Sequence, residues 1–287
     1  MLRVDPKEVS QQQLHAYLLG AVGPRPIAFA STIDKEGRPN LAPFSFFNVF
    51  SSNPPIAIFS PNRAGRTGAT KHTHDNVKEV PEVVLNIVNY DMVQQMSLSS
   101  SPYPKGVDEF VKAGLHKLPS EKVKPFRVAE SPVTLECKVN QVIELGEHGG
   151  AGNLIVCEVL LMHIKEEMLD EKGVIDQRKI DQVARMGGNW YCRAHGDALF
   201  EVPKPITTIG IGFDQIPEKI KQSKVLTGND LGALGSVEHL PTAEEISEYL
   251  AEPKKVFGSE EELHKYAQSL LHVNKVAEAW KVLLANP

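Results

Sequence analysis

The feature that most constrains this chain is a pair of long β-type runs, TLECKVNQVIEL from Thr134 and NLIVCEVLLMHIKEE from Asn153, separated by the glycine-rich EHGGAG. Side chains alternate across a strand with period two, so such runs predict two long antiparallel strands joined by a tight turn. Shorter runs precede them: IAFAST, NLAPFSFFNVFSS, PIAIFSP and EVVLNIV. Each is apolar or alternating and is bounded by Pro, Asn or Gly, as expected of buried or half-buried strands. IAFAST ends at Asp34-Lys35-Glu36-Gly37, and DEKGVID follows the last long run; both are hairpin-type turn sequences. Helical patterns fall only in excursions, without the regular strand and helix alternation of a parallel sheet. The expected core is mainly β, a closed or nearly closed antiparallel barrel with peripheral helices.

A polar helix is expected around residues 7–19. A short surface helix is expected in RAGRTGATKHTHDNVKEV, where Thr70 and Thr73 precede Val77 and Val80. Residues 91–131 are polar and rich in Ser, Pro and Lys, with a weak helical pattern in DMVQQMSL and VDEFVKAG. Past Pro203 and Pro205 the composition shifts, first to turns and then to helix. Thr242-Ala-Glu-Glu245 has the form of a capping box, and LHKYAQSLLHVNKVAEAWKVLLA spaces its apolar residues three and four apart. Two parts are therefore expected, a β domain over residues 1–203 and a mostly helical C-terminal extension over 204–287.

The 31 basic and 36 acidic residues are mixed along the chain and leave a net charge of −5, so no basic tract offers nucleic acid a footprint. Hydrophobic residues make up 41%, enough for a core, yet no run reaches the roughly 18 apolar residues of a membrane span. The N-terminal segment lacks the apolar stretch of a signal peptide. These readings predict a cytoplasmic protein with neither nucleic acid nor membrane as partner. Cys137, Cys157 and Cys192 are odd in number and far apart, which suits free thiols rather than a disulfide framework or a C-x-x-C site.

Two clusters carry chemistry. Pro43-Phe44-Ser45-Phe46-Phe47-Asn48 interleaves aromatic rings with short polar side chains, a wall that suits a planar heteroaromatic ligand. Taken alone, the segment favours an ordinary core strand at a sheet edge. Arg63, Arg66, Thr67, Thr70, Lys71 and Thr73 combine cations with hydroxyls at the start of a helix. A phosphate needs such charge-assisted donors and free backbone N–H groups, with Gly65 and Gly68 allowing close backbone approach. A solvated basic loop is the alternative.

Other chemistries find less support. His72-Thr73-His74-Asp75 is the best metal candidate, but no further ligand lies at a recognisable spacing, and no metal is expected. Gly210 and Gly212 lack the third glycine of a dinucleotide fingerprint, and Pro217 follows where its helix would run. No G-x-S-x-G occurs, and the run around Ser97 to Ser101 is too polar for a nucleophile elbow.

The segments GPRPIAFASTIDKEGRPNLAPFSFFNVFSSNPPIAIFSP, GRTGATKHTHDN, VVLNIV, SLSSSPYPKGVDEF, VAESPVTLECKV and ARMGGNWY stand in the order expected of one family. Over about residues 22–195 the chain resembles the flavin-reductase-like family with the FMN-binding split-barrel fold. The resemblance implies a six-stranded antiparallel Greek-key barrel that forms a homodimer, with FMN as cofactor. It implies flavin contacts from Arg25, Ser31, Thr32, Ser45, Phe46, Phe47, Asn48, Asn86, Ser100 and Tyr191. Lys71 and Thr73 match a K-x-T phosphate pair, with His72 where relatives commonly carry a carboxylate. The implied activity is hydride transfer from NAD(P)H to flavin, with reduced flavin supplied to a separate monooxygenase as a further expectation. A non-enzymatic FMN electron carrier is the alternative. Neither reading requires a catalytic acid, base or nucleophile from the chain, and none is named.

Overall fold

The computed structural model describes residues 1–251 and 257–285, and the chain divides into two compact units, 1–200 and 201–287. In the first unit, helix α1 (Gln11–Ala21) starts later than the sequence pattern suggests, because Ser10 caps it by accepting from the Gln13 N–H at 3.2 Å. Strands β1 (Ala28–Ile33), β2 (Pro39–Phe44), β3 (Phe47–Ser52) and β4 (Pro55–Phe59) follow. Then come helix α2 (His72–Glu79) and strand β5 (Glu82–Ile87). The helical excursion holds α3 (Val93–Leu98) and α4 (Glu109–Ala113), with two-residue strands β6 (Lys117–Leu118) and β7 (Arg127–Val128) after them. The long strands are β8 (Val133–Glu144) and β9 (Asn153–Ile164), and β10 (Val183–Arg185) and β11 (Tyr191–Arg193) form a final small ladder.

Seven strands form one antiparallel sheet in the order β2-β1-β5-β8-β9-β4-β3. The long crossover from β4 to β5 places β4 beside β9, a Greek-key order. The resemblance implies six strands; the seventh arises because NLAPFSFFNVFSS, read as one run, breaks at Ser45 and Phe46 into β2 and β3. The break has a local cause: the Phe46 carbonyl accepts from the Ser60 N–H at 2.8 Å, and Phe44 packs on Phe59 with ring centroids 5.6 Å apart. The two outermost strands are thus consecutive in the chain, which brings the sheet edges round toward each other as a split barrel. Bulges at Glu136/Cys137 and Val139/Gln141 bend the β8–β9 hairpin, adding the twist that closure requires.

Every residue of β1 is buried because its two faces serve two cores. Ala28 and Ala30 point into the barrel with Phe59, Leu85, Ile155 and Cys157, whereas Phe29 packs beneath the excursion with Met92, Met96 and Phe110. The β1–β2 turn is held by Asp34, whose carboxylate accepts from the backbone N–H groups of Glu36 and Arg38 and from Arg38 Nε at 2.7 Å. Cys137 and Cys157 are free and fully buried on the two long strands, and burial pushes the Cys137 thiol up to about 12 and the Cys157 thiol well above its ordinary value.

The second unit is helical, with α5 (Glu218–Lys221), α6 (Gly228–Leu234), α7 (Ala243–Ala251), α8 (Glu260–Leu271) and α9 (Val276–Ala285). Thr242 and Glu245 form the expected capping box, and Thr227 and Asp230 form a second at the start of α6. Its own core centres on Trp280, fully buried among Leu234, Leu263, Leu270 and Leu283, with the indole N–H donating to the Leu234 carbonyl at 2.9 Å. Among the described residues no helix is long and apolar enough to cross a membrane.

Candidate functional site

Two adjoining clefts open at the split of the barrel. The larger, of about 520 Å³, lies between β2, the start of α2 and the loop after α3; the smaller, of about 440 Å³, lies between α3 and β10–β11. They share Pro43, Phe44, Ser45, Ser100 and Arg185. Volumes of about 300–1,000 Å³ are usual for small-molecule and cofactor clefts.

The basic loop splits into two roles. Lys71, the residue preceding α2, is exposed at the larger cleft and pairs with no carboxylate among the described residues. Thr70 and Thr73 line the same cleft; the Thr70 hydroxyl donates to Asp75 at 2.8 Å, and Thr73 Oγ1 accepts from Asn40. Arg63 turns the other way. Its guanidinium donates to the carbonyls of Gly146 and Gly68 and pairs with Glu144 at 3.2 Å, so it clamps the loop to the β8–β9 hairpin instead of facing the cleft. The glycines serve that clamp as well: a Cβ on Gly149 would lie 2.2 Å from the Gly65 carbonyl oxygen, so hairpin and loop touch backbone to backbone. The close approach depends on Gly149, because a Cβ on Gly65 would stand in open space. Arg66 and Thr67 are exposed and line neither cleft.

The histidines diverge. His72 lines the larger cleft, while His74 is buried between Asp75 and Glu144, each 3.2 Å from a ring nitrogen. Glu144 also pairs with Lys78, and these partners, Lys78 first, hold its carboxyl below the usual range. Among the described residues no three His, Cys, Asp or Glu side chains are placed to hold a metal ion.

The structure divides the remaining candidates. Ser45 and Ser100 line both clefts, Phe46 the larger and Tyr191 the smaller. Phe47 packs on the barrel core, and Asn48 is exposed, its side chain accepting from the Val49 N–H. Ser31, Thr32 and Asn86 are buried within the sheet. Thr32 accepts from Asn40 and Asn76, and Asn86 staples β1 to β7 by donating to the Phe29 carbonyl at 2.8 Å and accepting from the Val128 N–H at 2.9 Å. Arg25 is 5% exposed and donates to the carbonyls of Leu19, Val22 and Met186. It thereby caps the C-terminus of α1, whose last carbonyls lack helical partners, and ties it to the segment after β10. None of these six residues lines either cleft.

Sequence reasoning passes over several lining residues. His15 and Leu19 come from α1, Asn40 from β2, Ser60 and Asn62 from the loop after β4, and Glu109 from α4. Glu109 is buried, and its carboxylate accepts from the Leu41 N–H at 3.0 Å; burial pushes its carboxyl above the usual range. Arg185 lies in ARMGGNWY, where only the tyrosine drew attention. The donor set fits a flavin mononucleotide: an unpaired ammonium and hydroxyls at one end, with Phe44, Phe46 and Tyr103 along the wall.

Residues 21–184 match the model of the flavin reductase like domain. A protein of Aquifex aeolicus (strain VF5) is 36% identical over 197 residues, 68% of this chain and 97% of its own length. Nitrilotriacetate monooxygenase component B from Bacillus cereus superposes with a TM-score of 0.66 at 30% identity, over 70% of this chain and 98% of that one. The 2-nitrobenzoate 2-nitroreductase NbaA of Pseudomonas fluorescens does so with a TM-score of 0.61 at 27% identity, over 70% of this chain and 96% of that one. The second unit begins beyond the matched residues. With its Greek-key split barrel, its paired clefts and this match over more than half its length, the chain belongs to the flavin-reductase-like family.

Proposed function

We propose that the chain binds FMN and works as an NAD(P)H:flavin oxidoreductase. The observation that carries this reading is the larger cleft, with Lys71 unpaired at one end and an aromatic wall along it. Lys71 and the hydroxyl of Thr73 take the phosphate, assisted by the first backbone N–H groups of α2. Ser45 and Ser100, where the clefts meet, offer hydrogen bonds to the polar edge of the ring, and Phe46 and Tyr191 shield its faces. Residues of α1, His15 and Leu19, limit access of water from one side. When bound, FMN supplies the ring nitrogen N5 that receives hydride from a nicotinamide.

The B. cereus neighbour is a monooxygenase component, which supports a role in which reduced flavin passes to a separate monooxygenase. A homodimer is also part of the reading. Val49 and Phe50 on β3 are 61% and 65% exposed, and Leu160 and Met162 on β9 are exposed too, an apolar surface that a second copy would cover.

The test is the absorbance spectrum of the purified protein with FMN, followed by NADH or NADPH addition without oxygen. Bleaching of a bound flavin spectrum is the expected result. Flavin binding without bleaching by either donor would leave an electron carrier, and no binding would remove the reading altogether.

A further inference from the structure

The smaller cleft holds one charged side chain, Arg185, and no carboxylate lines it. The Arg185 guanidinium lies 4.6 Å from the centroid of the Tyr191 ring and has no ion pair among the described residues. Its backbone is fixed by two bonds to Arg25, N–H to carbonyl in each direction, at 2.9 and 2.8 Å. Arg25 is itself a buried guanidinium whose partners are carbonyls and whose Nε has none. Burial first, and then the charge of Arg185, push Arg25 below its ordinary value, so two positive groups stand together without a counter-charge. On the neighbouring strand of the same ladder, by contrast, Arg193 is neutralised by Asp181 at 2.7 Å. The remaining lining supplies neutral donors and acceptors, Gln94, Ser97 and Asn189, beside the apolar surfaces of Ile27 and Phe44.

We propose that the smaller cleft is the seat of a second substrate bearing an anionic group next to a planar ring, and that Arg185 is the residue that selects for that anion. The proposal rests on the flavin reading of the larger cleft and deepens it. Held beside the Tyr191 ring, the guanidinium lines the cleft, where its N–H fork meets a carboxylate or phosphate bidentately. The shared chemistry is an oxyanion, and it has two sources: the phosphates of a dinucleotide donor, or the carboxylate of an aromatic acceptor.

The test uses full-length wild type, Arg185→Gln and Arg185→Lys, each loaded with FMN. Calorimetric dissociation constants are measured for NAD⁺ and for benzoate, neither of which turns over, together with the FMN constant of each protein. Loss of a charge-assisted contact predicts that Arg185→Gln weakens one probe about tenfold or more, and weakens it more than it weakens FMN, whose cleft Arg185 also lines. Arg185→Lys should recover part of the loss. A loss confined to NAD⁺ identifies the phosphate source, and one confined to benzoate identifies the carboxylate. Equal binding of both probes by wild type and Arg185→Gln, no binding of either probe by wild type, or a loss of FMN affinity in Arg185→Gln as large as that of either probe overturns the proposal. Failure of the wild type to bind FMN would sink the flavin reading instead.

Discussion

Asn40 on β2 donates through Nδ2 to Thr73 Oγ1 on α2 at 3.0 Å, tying the barrel edge to the first turn of the helix. Because the threonine oxygen accepts this bond, its proton remains available for another acceptor. Asn40→Ala should release that orientation and weaken FMN by about 1–2 kcal/mol. A flavin fluorescence titration reads the change; an unaltered dissociation constant would mean that Thr73 needs no such support.

Among the described residues the Lys71 side chain has no partner, so its removal should act on ligand binding and hardly on stability. Lys71→Ala is expected to weaken FMN by about 1–3 kcal/mol, less at high salt because the ammonium is exposed. Equal affinity in variant and wild type would place the phosphate elsewhere.

Gly149→Ala would set a methyl group 2.2 Å from the Gly65 carbonyl oxygen, and neither partner is a flexible side chain. The hairpin and the loop must move apart, costing about 1–3 kcal/mol in urea denaturation. The same displacement should lower FMN affinity, since the loop carries Thr70 and Lys71. Unchanged stability would show that the two backbones can separate freely.

Burial raises the Glu109 carboxyl above its unfolded value despite the N–H of Leu41. Such a group contributes stability that is present below the unfolded value and is lost as pH rises through the folded one. Glu109→Gln removes this dependence. Its stability relative to wild type should therefore improve from acid pH toward neutrality, measured as the difference in urea midpoints across that range. A difference independent of pH would mean that the carboxyl ionises as easily folded as unfolded.

The second unit has a separate core, so Trp280→Ala should damage it alone. A loss of about 3–5 kcal/mol is expected in its unfolding transition, since a fully buried indole and its bond to Leu234 both go. Calorimetry should show that transition shifted and the barrel's retained, with flavin binding unaltered. A simultaneous shift of both transitions would refute separate folding.

The strands were legible because period-two patterning and turn residues are local signals. The break of one run at Ser45 and Phe46 was not, since it depends on Ser60 and Phe59 from the neighbouring hairpin. Arg63 illustrates the same limit within the site. A cation beside threonines reads as a phosphate ligand until Glu144 and Gly146, some eighty residues onward, absorb its donors. Arg25 is likewise diverted by Met186, 161 residues away. Lys71 stays exposed at the cleft because no carboxylate among the described residues competes for it, and Arg185 gives no local signal because what marks it is the lack of an ion pair among those residues.

The two thiols sealed between the long strands have a practical corollary. Cys137 and Cys157 lack both solvent access and thiolate character, whereas Cys192 is partly exposed and sits next to Tyr191. A maleimide dye added to the native protein should therefore attach at a single position, giving an optical reporter in the hollow lined by Met186 and Trp190 without any engineered cysteine.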